Sequence, residues 1–271
     1  MSDNISFNAR RVALITALRE EISPLLRAIK LRKRIKARGK KFYLARLGQR
    51  DLLLVRSAMG EKNTLEALQF VQDSFRPDFV INFGYCGALS LDLQIGDVFC
   101  VTEYIKWPFA LREPPAIPLQ QPFNDSYFRQ LIKASVFSGT CLTCPAPLPK
   151  RKLARLYFLE GKKTVVDMEG YFCAEFCQSR GIPCASLKSV TDTLHEEFHF
   201  ELAALCSGSK DIDPLRAILL ASKYPQLIPH FWHLWRYSTK AAKNLRDGIL
   251  FLLSLPVLQS ECQESIFGRT N

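Results

Sequence analysis

The sequence predicts an α/β fold, and three observations predict it. Short β-branched or apolar runs alternate with helical ones from about residue 12 to residue 191, the pattern left by strands that stack against helices. Turn and cap residues mark the joints, as where Gly181 follows a helical run and Pro183 stands just beyond it. A chain of 271 residues with 48% hydrophobic content can bury a sizeable core and sits near the size at which one core stops growing, so one α/β domain is the simplest reading.

The elements follow in order. An apolar run predicts a strand over 12–18, and the acidic start Glu20-Glu21 suits the positive end of a helix over 20–29. Nine basic residues between Arg27 and Lys41 have no acid among them; removing them from the net charge of +11 leaves +2. They read as a solvated helix end and the start of a strand, with an anion-binding patch as the alternative. Strands are predicted over 41–47, 51–57 and 78–83, with a helix over 63–73 between the last two. Gly84-Tyr85-Cys86-Gly87-Ala88 then reads as a glycine turn. After a strand over 97–104, the five prolines of 107–122 predict a long irregular loop. Helices over 125–136, 151–160 and 169–179 alternate with strands over 139–144, 164–168 and 183–191. No internal repeat is visible. After Asp213 the texture becomes a helical tail, broken at Pro225 and Pro229, with Trp232 and Trp235 beside a basic face. The expected division is therefore a catalytic domain over 1–212 and a helical tail over 213–271, packed on it or appended to it.

Composition narrows the setting. The stretch MSDNISFNARR lacks the apolar run of a secretory signal, and the longest apolar stretch, 248–258, is too short to span a bilayer. Among nine cysteines, Cys86, Cys100 and Cys184 lie in apolar runs and read as small buried hydrophobes. A cytoplasmic protein is the expectation. No aromatic residues interleave the basic run to stack bases, so no nucleic-acid partner is expected.

Open α/β sheets bind ligands at the carboxyl ends of their strands. The residues just past predicted strands are Glu20 and Glu21, the glycine turn, Glu169 and Asp192. Each has an ordinary account: a helix dipole suits the glutamates, and an N-cap suits the aspartate. Their joint placement at one sheet edge favours a site. A rival signal stands in SVTDTLHEEFHF, residues 189–200, where His195, Glu196 and His199 match the zinc-peptidase pattern H-E-x-x-H. That chemistry needs both histidines on a continuous helix and a third ligand downstream. Here the pattern begins three residues after a strand end, and the only later histidines are His230 and His233 in the tail. Cys141-Leu142-Thr143-Cys144 is a single C-x-x-C inside a predicted strand, which reads as core. No metal and no cofactor are expected.

The ordered motifs Ala17-Leu18-Arg19-Glu20-Glu21-Ile22, Ser57-Ala58-Met59-Gly60, Asn82-Phe83-Gly84-Tyr85-Cys86-Gly87-Ala88, Ile95-Gly96-Asp97-Val98, Val166-Asp167-Met168-Glu169 and Ser189-Val190-Thr191-Asp192 resemble the purine nucleoside phosphorylase and methylthioadenosine/S-adenosylhomocysteine nucleosidase superfamily. The resemblance runs from about residue 11 to about residue 205. It implies a three-layer fold with a central mixed sheet and flanking helices, and hydrolysis of the N-ribosidic bond of a 5′-substituted adenosine. By the same resemblance Asp192 is the acid that protonates the purine, which requires burial to keep its proton in place. Glu169 holds the ribose hydroxyls with Met168 under the sugar, and Glu21 orients the attacking water. Gly84, Tyr85, Cys86, Gly87, Lys188 and Thr191 line the substrate. Tyr85 stands where the family usually has serine, Lys188 where nucleosidases commonly have arginine, and the stacking phenylalanine has no counterpart in Thr143-Cys144-Pro145-Ala146-Pro147. Asn82 replaces an arginine that phosphorylases use for phosphate, which favours water as nucleophile. A phosphorylase and a non-catalytic nucleoside-binding protein are the alternatives. The resemblance also implies a homo-oligomer. The Asp-Met-Glu form of the motif and the basic, apolar tail resemble the hopanoid-associated branch, adenosylhopane nucleosidases, implying a lipid-linked adenosine and peripheral contact with the inner membrane face through the tail.

Overall fold

The computed structural model describes residues 10–108, 116–119, 135–146, 150–156, 162–195 and 228–254. Its ten strands, among the described residues, join in one mixed sheet. The strands are β1 (Arg11–Thr16), β2 (Leu31–Ala37), β3 (Lys40–Leu47), β4 (Arg50–Arg56), β5 (Phe79–Ala88), β6 (Val98–Lys106), β7 (Ala116–Pro118), β8 (Val136–Thr143), β9 (Lys163–Asp167) and β10 (Cys184–Asp192). The helices are α1 (Arg19–Ala28), α2 (Glu61–Ser74), α3 (Lys150–Leu156), α4 (Gly170–Gln178) and α5 (Ile228–Ser254).

β1 lies parallel between β4 and β5, and β5 lies parallel to β10, so these four strands point their carboxyl ends the same way. Beyond β10 the sheet curls. β6 pairs antiparallel with β10 and parallel with β8, β8 pairs with β9, and β9 returns to the far end of β5 at Gly87 and Ala88. Five strands thus close a ring through β5. Helices cover both faces of the sheet. Leu14, Ile22, Leu25 and Ile81 meet Leu245, Ile249 and Leu252 on the α1 and α5 side. Ala13, Ile15, Leu68, Val71 and Phe176 form the core on the α2 and α4 side.

Four local expectations change. The predicted glycine turn is strand: β5 continues through Gly84 and Gly87 because β10 stays paired with it from Cys184↔Val80 to Asp192↔Gly87. The basic run holds a whole edge strand, β2, whose Leu31, Ile35 and Ala37 are half-buried while Arg32, Lys33, Arg34 and Lys36 face water. Arg38 and Gly39 join β2 to β3 with φ of +49° and +72°, the left-handed pair a two-residue hairpin turn requires. Lysine and arginine along an edge also discourage strand addition by another chain. Within the predicted proline-rich loop, Ala116–Pro118 forms β7 against β6. Finally, Pro229 does not break the tail but sits in the first turn of α5, where a missing N–H is tolerated. The predicted helix over 125–136 falls outside the described residues except Ser135, which is not helical, and Val136, which opens β8; residues 157–160 of the helix over 151–160 and Pro225 lie outside them as well. No helix among the described residues is long and apolar enough to cross a membrane.

Candidate active site

The site grows from the carboxyl ends of β1, β4, β5 and β10. Glu21 stands in the first turn of α1 with its carboxyl buried. Oε2 accepts hydrogen bonds from Thr16 Oγ1 at 2.5 Å and the Leu18 N–H at 2.7 Å, and Oε1 accepts from the Tyr85 N–H at 2.8 Å. The bond to Leu18 is a helix cap, so the structural role and the site role meet in one carboxylate. Burial pushes its pKa up, against the pull of the three hydrogen bonds and the Lys188 ammonium. Glu20 is exposed.

Glu169 precedes α4 and reaches the loop after β4, where Oε1 accepts the Gly60 N–H at 2.9 Å. That loop is bent to offer the donor: Ala58 has φ +73° and Gly60 φ +90°, and a non-glycine residue held there costs on the order of 1 kcal/mol or more. The residue as a whole is half-buried, yet its carboxyl end is enclosed. Burial, reinforced by the Asp167 carboxylate, raises its pKa to about 8.

Lys188 lies inside the protein on β10, 2.7 Å from Asp167 Oδ2. Burial works against its charge, but Asp167 more than offsets that and its pKa is raised. Asp167 also accepts the Thr143 hydroxyl at 2.6 Å and the Gly170 N–H at 3.0 Å. One carboxylate therefore fixes Lys188 and the start of α4, and with it Met168 and Glu169. Gly170 is required here, since a Cβ would stand 2.2 Å from the Tyr104 hydroxyl. That hydroxyl lies 2.7 Å from Ser186 Oγ and 3.3 Å from Asn82 Oδ1.

Two glycines of β5 explain how the carboxylates approach the strand. A Cβ at Gly84 would come 2.8 Å from Glu21 Oε1, and one at Gly87 would come 2.9 Å from Asp192 Oδ2. They stand three steps apart along the strand, about 10 Å. Asp192 is buried; Oδ1 accepts the Thr191 hydroxyl at 2.8 Å and Oδ2 lies 2.5 Å from Lys150 Nζ. Thr191 Oγ1 is also 3.4 Å from the carbonyl of buried Cys86. Tyr85 sends its hydroxyl to the Ser238 carbonyl at 3.1 Å, so α5 touches the site.

Among the residues bordering one cavity are Glu21, Asn82, Glu169 and Lys188; it holds about 10 Å³, room for one water molecule. A larger hollow of about 450 Å³ at Leu65, Gln69, Phe176 and Arg180 is bordered by none of the predicted site residues. Asp167 and Lys150 were not among those residues. Asp167 was legible inside Val-Asp-Met-Glu as a third acid of the cluster, whereas Lys150 stands in Lys150-Arg151-Lys152, which looks solvated. His195 is exposed in a turn, while Glu196 and His199 lie outside the described residues. Cys141 and Cys144 are buried core.

Fold and site together define the class: an α/β protein with a mixed, curled sheet and a cluster of buried carboxylates around a buried lysine at parallel strand ends. The chain belongs to the phosphorylase superfamily, whose family model matches residues 11–210. It is 25% identical over 204 residues to a 5′-methylthioadenosine/S-adenosylhomocysteine nucleosidase of Geobacillus thermodenitrificans, covering 69% of this chain and 86% of that one. An aminodeoxyfutalosine nucleosidase of Campylobacter jejuni is 23% identical over 220 residues, 74% of this chain and 94% of its own. Among solved structures, a futalosine hydrolase of Helicobacter pylori superposes with a TM-score of 0.68 at 18% identity, over 89% of this chain and 98% of that one. The 5′-methylthioadenosine/S-adenosylhomocysteine nucleosidase of Neisseria meningitidis in complex with methylthio-immucillin-A gives 0.66 at 18% identity, over 90% and 98%. At that identity the two structures establish the fold.

Proposed function

We propose that this protein is a nucleosidase that hydrolyses the N-ribosidic bond of a 5′-substituted adenosine and releases the purine base. The observation that carries the reading is the water-sized cavity bordered by Glu21, Glu169, Lys188 and Asn82. Breaking the bond leaves positive charge on the sugar and negative charge on the base, so the site must supply a base, a sugar cradle and an acid. Glu21 orients and deprotonates the water; a carboxylate pushed up by burial is a stronger base than a solvated one. Glu169 bonds the ribose hydroxyls above Met168. Asp192, about 10 Å further along β5, meets the base, a spacing that suits a nucleoside lying across Gly84 to Gly87, with Tyr85, Cys86, Lys188 and Thr191 around it. Asn82 in place of a phosphate-binding arginine, and the small volume beside it, favour water over phosphate.

The nucleoside is then the small-molecule partner, and the C-terminal helix is part of the catalytic fold rather than a separate unit. A homo-oligomer completes the proposal. A lipid-linked adenosine as substrate goes with peripheral contact of the tail with a bilayer, in which Leu245, Ile249 and Leu252 take no part because they are packed on the sheet.

The test is adenine release from 5′-methylthioadenosine with and without phosphate. Full rate in phosphate-free buffer with a free sugar product is expected, and Asp192→Asn should lower the rate by at least ~10²-fold. A sugar 1-phosphate as main product would establish phosphorolysis instead, and tight binding without release would establish a binding protein.

A further inference from the structure

Lys150 is folded into the protein beside a site carboxylate, and the hydrolysis described above has no use for it. It opens α3, is 5% exposed, and places Nζ 2.5 Å from Asp192 Oδ2. The same ammonium donates to the Thr193 carbonyl. Its stem crosses Gly87, where a Cβ would come within 3.3 Å of Lys150 Cδ. A lysine threaded over a glycine and held at two acceptors is fixed in one orientation. Stability gives little reason for such an arrangement, because a buried ion pair rarely outperforms an apolar pair of the same volume.

Chemistry gives a better reason. Both oxygens of Asp192 act as acceptors, Oδ1 from the Thr191 hydroxyl and Oδ2 from the Lys150 ammonium. An acid must have a proton to give, and the transferable proton next to Oδ2 is carried by Lys150. We propose that Lys150 is the positioning residue that supplies Asp192 with the proton it delivers to the leaving base. The proposal rests on the nucleosidase reading. As the C1′–N9 bond breaks, its electron pair goes to the purine. Lys150 Nζ passes one proton to Asp192 Oδ2, becoming a neutral amine, and Asp192 delivers that proton to the purine, so the carboxylate ends as it began. Water adds its oxygen to C1′ and loses one proton to Glu21, which passes it to solvent, and solvent restores the ammonium. The sum is water plus nucleoside giving free sugar plus base.

Two variants and two substrates test this. Lys150→Met removes the proton source. Lys150→Arg keeps the positive charge, and so the ion pair, but a guanidinium does not release its proton in a protein. The substrates are 5′-methylthioadenosine, whose adenine must be protonated, and the 5′-methylthio riboside of 4-nitrophenol, which leaves as a stable anion. Kinetics and thermal unfolding are measured on the same preparations, and the ratio of the two rates cancels any loss of folded protein. Expected is a kcat on methylthioadenosine lowered about 10²-fold in both variants, KM within about threefold, and little loss on the nitrophenyl riboside. Lys150→Arg should melt with the wild type. Wild-type adenine release by Lys150→Arg, or an equal loss on both substrates, makes the lysine purely structural and overturns the proposal. Failure of the wild type itself to release adenine would instead overturn the nucleosidase reading.

Discussion

Glu21 and Glu20 are adjacent in sequence and identical in chemistry, yet only Glu21 enters the cavity while Glu20 faces water. The difference is a helical rotation of 100° at the start of α1, which turns position N3 back over the strand end. Glu169 shows what such burial does. Its carboxyl titrates near 8 in the fold against 4.5 as a free group. Between those values the unfolded chain has released its proton and the folded one has not, so stability falls as pH rises from about 4.5 to 8 and levels off above. The full effect is on the order of 5 kcal/mol at most. Glu169→Gln keeps an oxygen for the Gly60 N–H and has no charge to bury. Its urea midpoint should therefore exceed the wild type's at pH 8.5 and match it near pH 4, while activity falls through the lost contact to the ribose. Equal midpoints at both pH values would mean that Glu169 ionises freely in the folded protein.

At the scale of elements, β5 organises the site. It pairs with β1, β10 and β9 in turn, and its two glycines let carboxylates from α1 and β10 press against the backbone. The glycines were legible; their meaning was not. A G-x-x-G segment reads locally as a turn, and only the parallel pairing with β10 keeps it extended. Gly84→Ala puts a methyl against a Glu21 carboxylate that three hydrogen bonds hold in place. The variant should fold, lose stability by about 1–3 kcal/mol as overpacked positions do, and lose activity by more than tenfold, read by denaturation and adenine release. β2 was missed for the opposite reason: four exposed cations hide three half-buried apolar positions, and a bulge after Leu31 leaves Lys33 exposed and breaks the alternation.

For the molecule as a whole, α5 is the closing piece. Leu245, Ile249, Leu252 and Leu253 complete the core over β5, β10 and α1. Asn244 Nδ2 donates to the Gly96 carbonyl at 2.7 Å, and Arg50 donates to the Leu253 carbonyl. A chain ending at residue 227 leaves that face of the sheet in water and should be insoluble or lack a cooperative unfolding transition; a stable, active truncated chain would show the tail to be dispensable. Burying four large apolar side chains contributes roughly 1.5–3 kcal/mol each, comparable to the net stability of a domain.

The α/β alternation, the strand ends carrying Glu21, Glu169 and Asp192, and the core character of Cys141 and Cys144 were all legible in the sequence, because each depends on local periodicity or on a short motif. The closure of five strands through β5, the pairing of Lys188 with Asp167 and the approach of Lys150 to Asp192 were decided only by the tertiary structure. Lys150 and Asp192 stand 42 residues apart. Whether a lysine lies in water or against a carboxylate depends on which strands meet around it, and a contact of that range leaves no mark on the residues beside it.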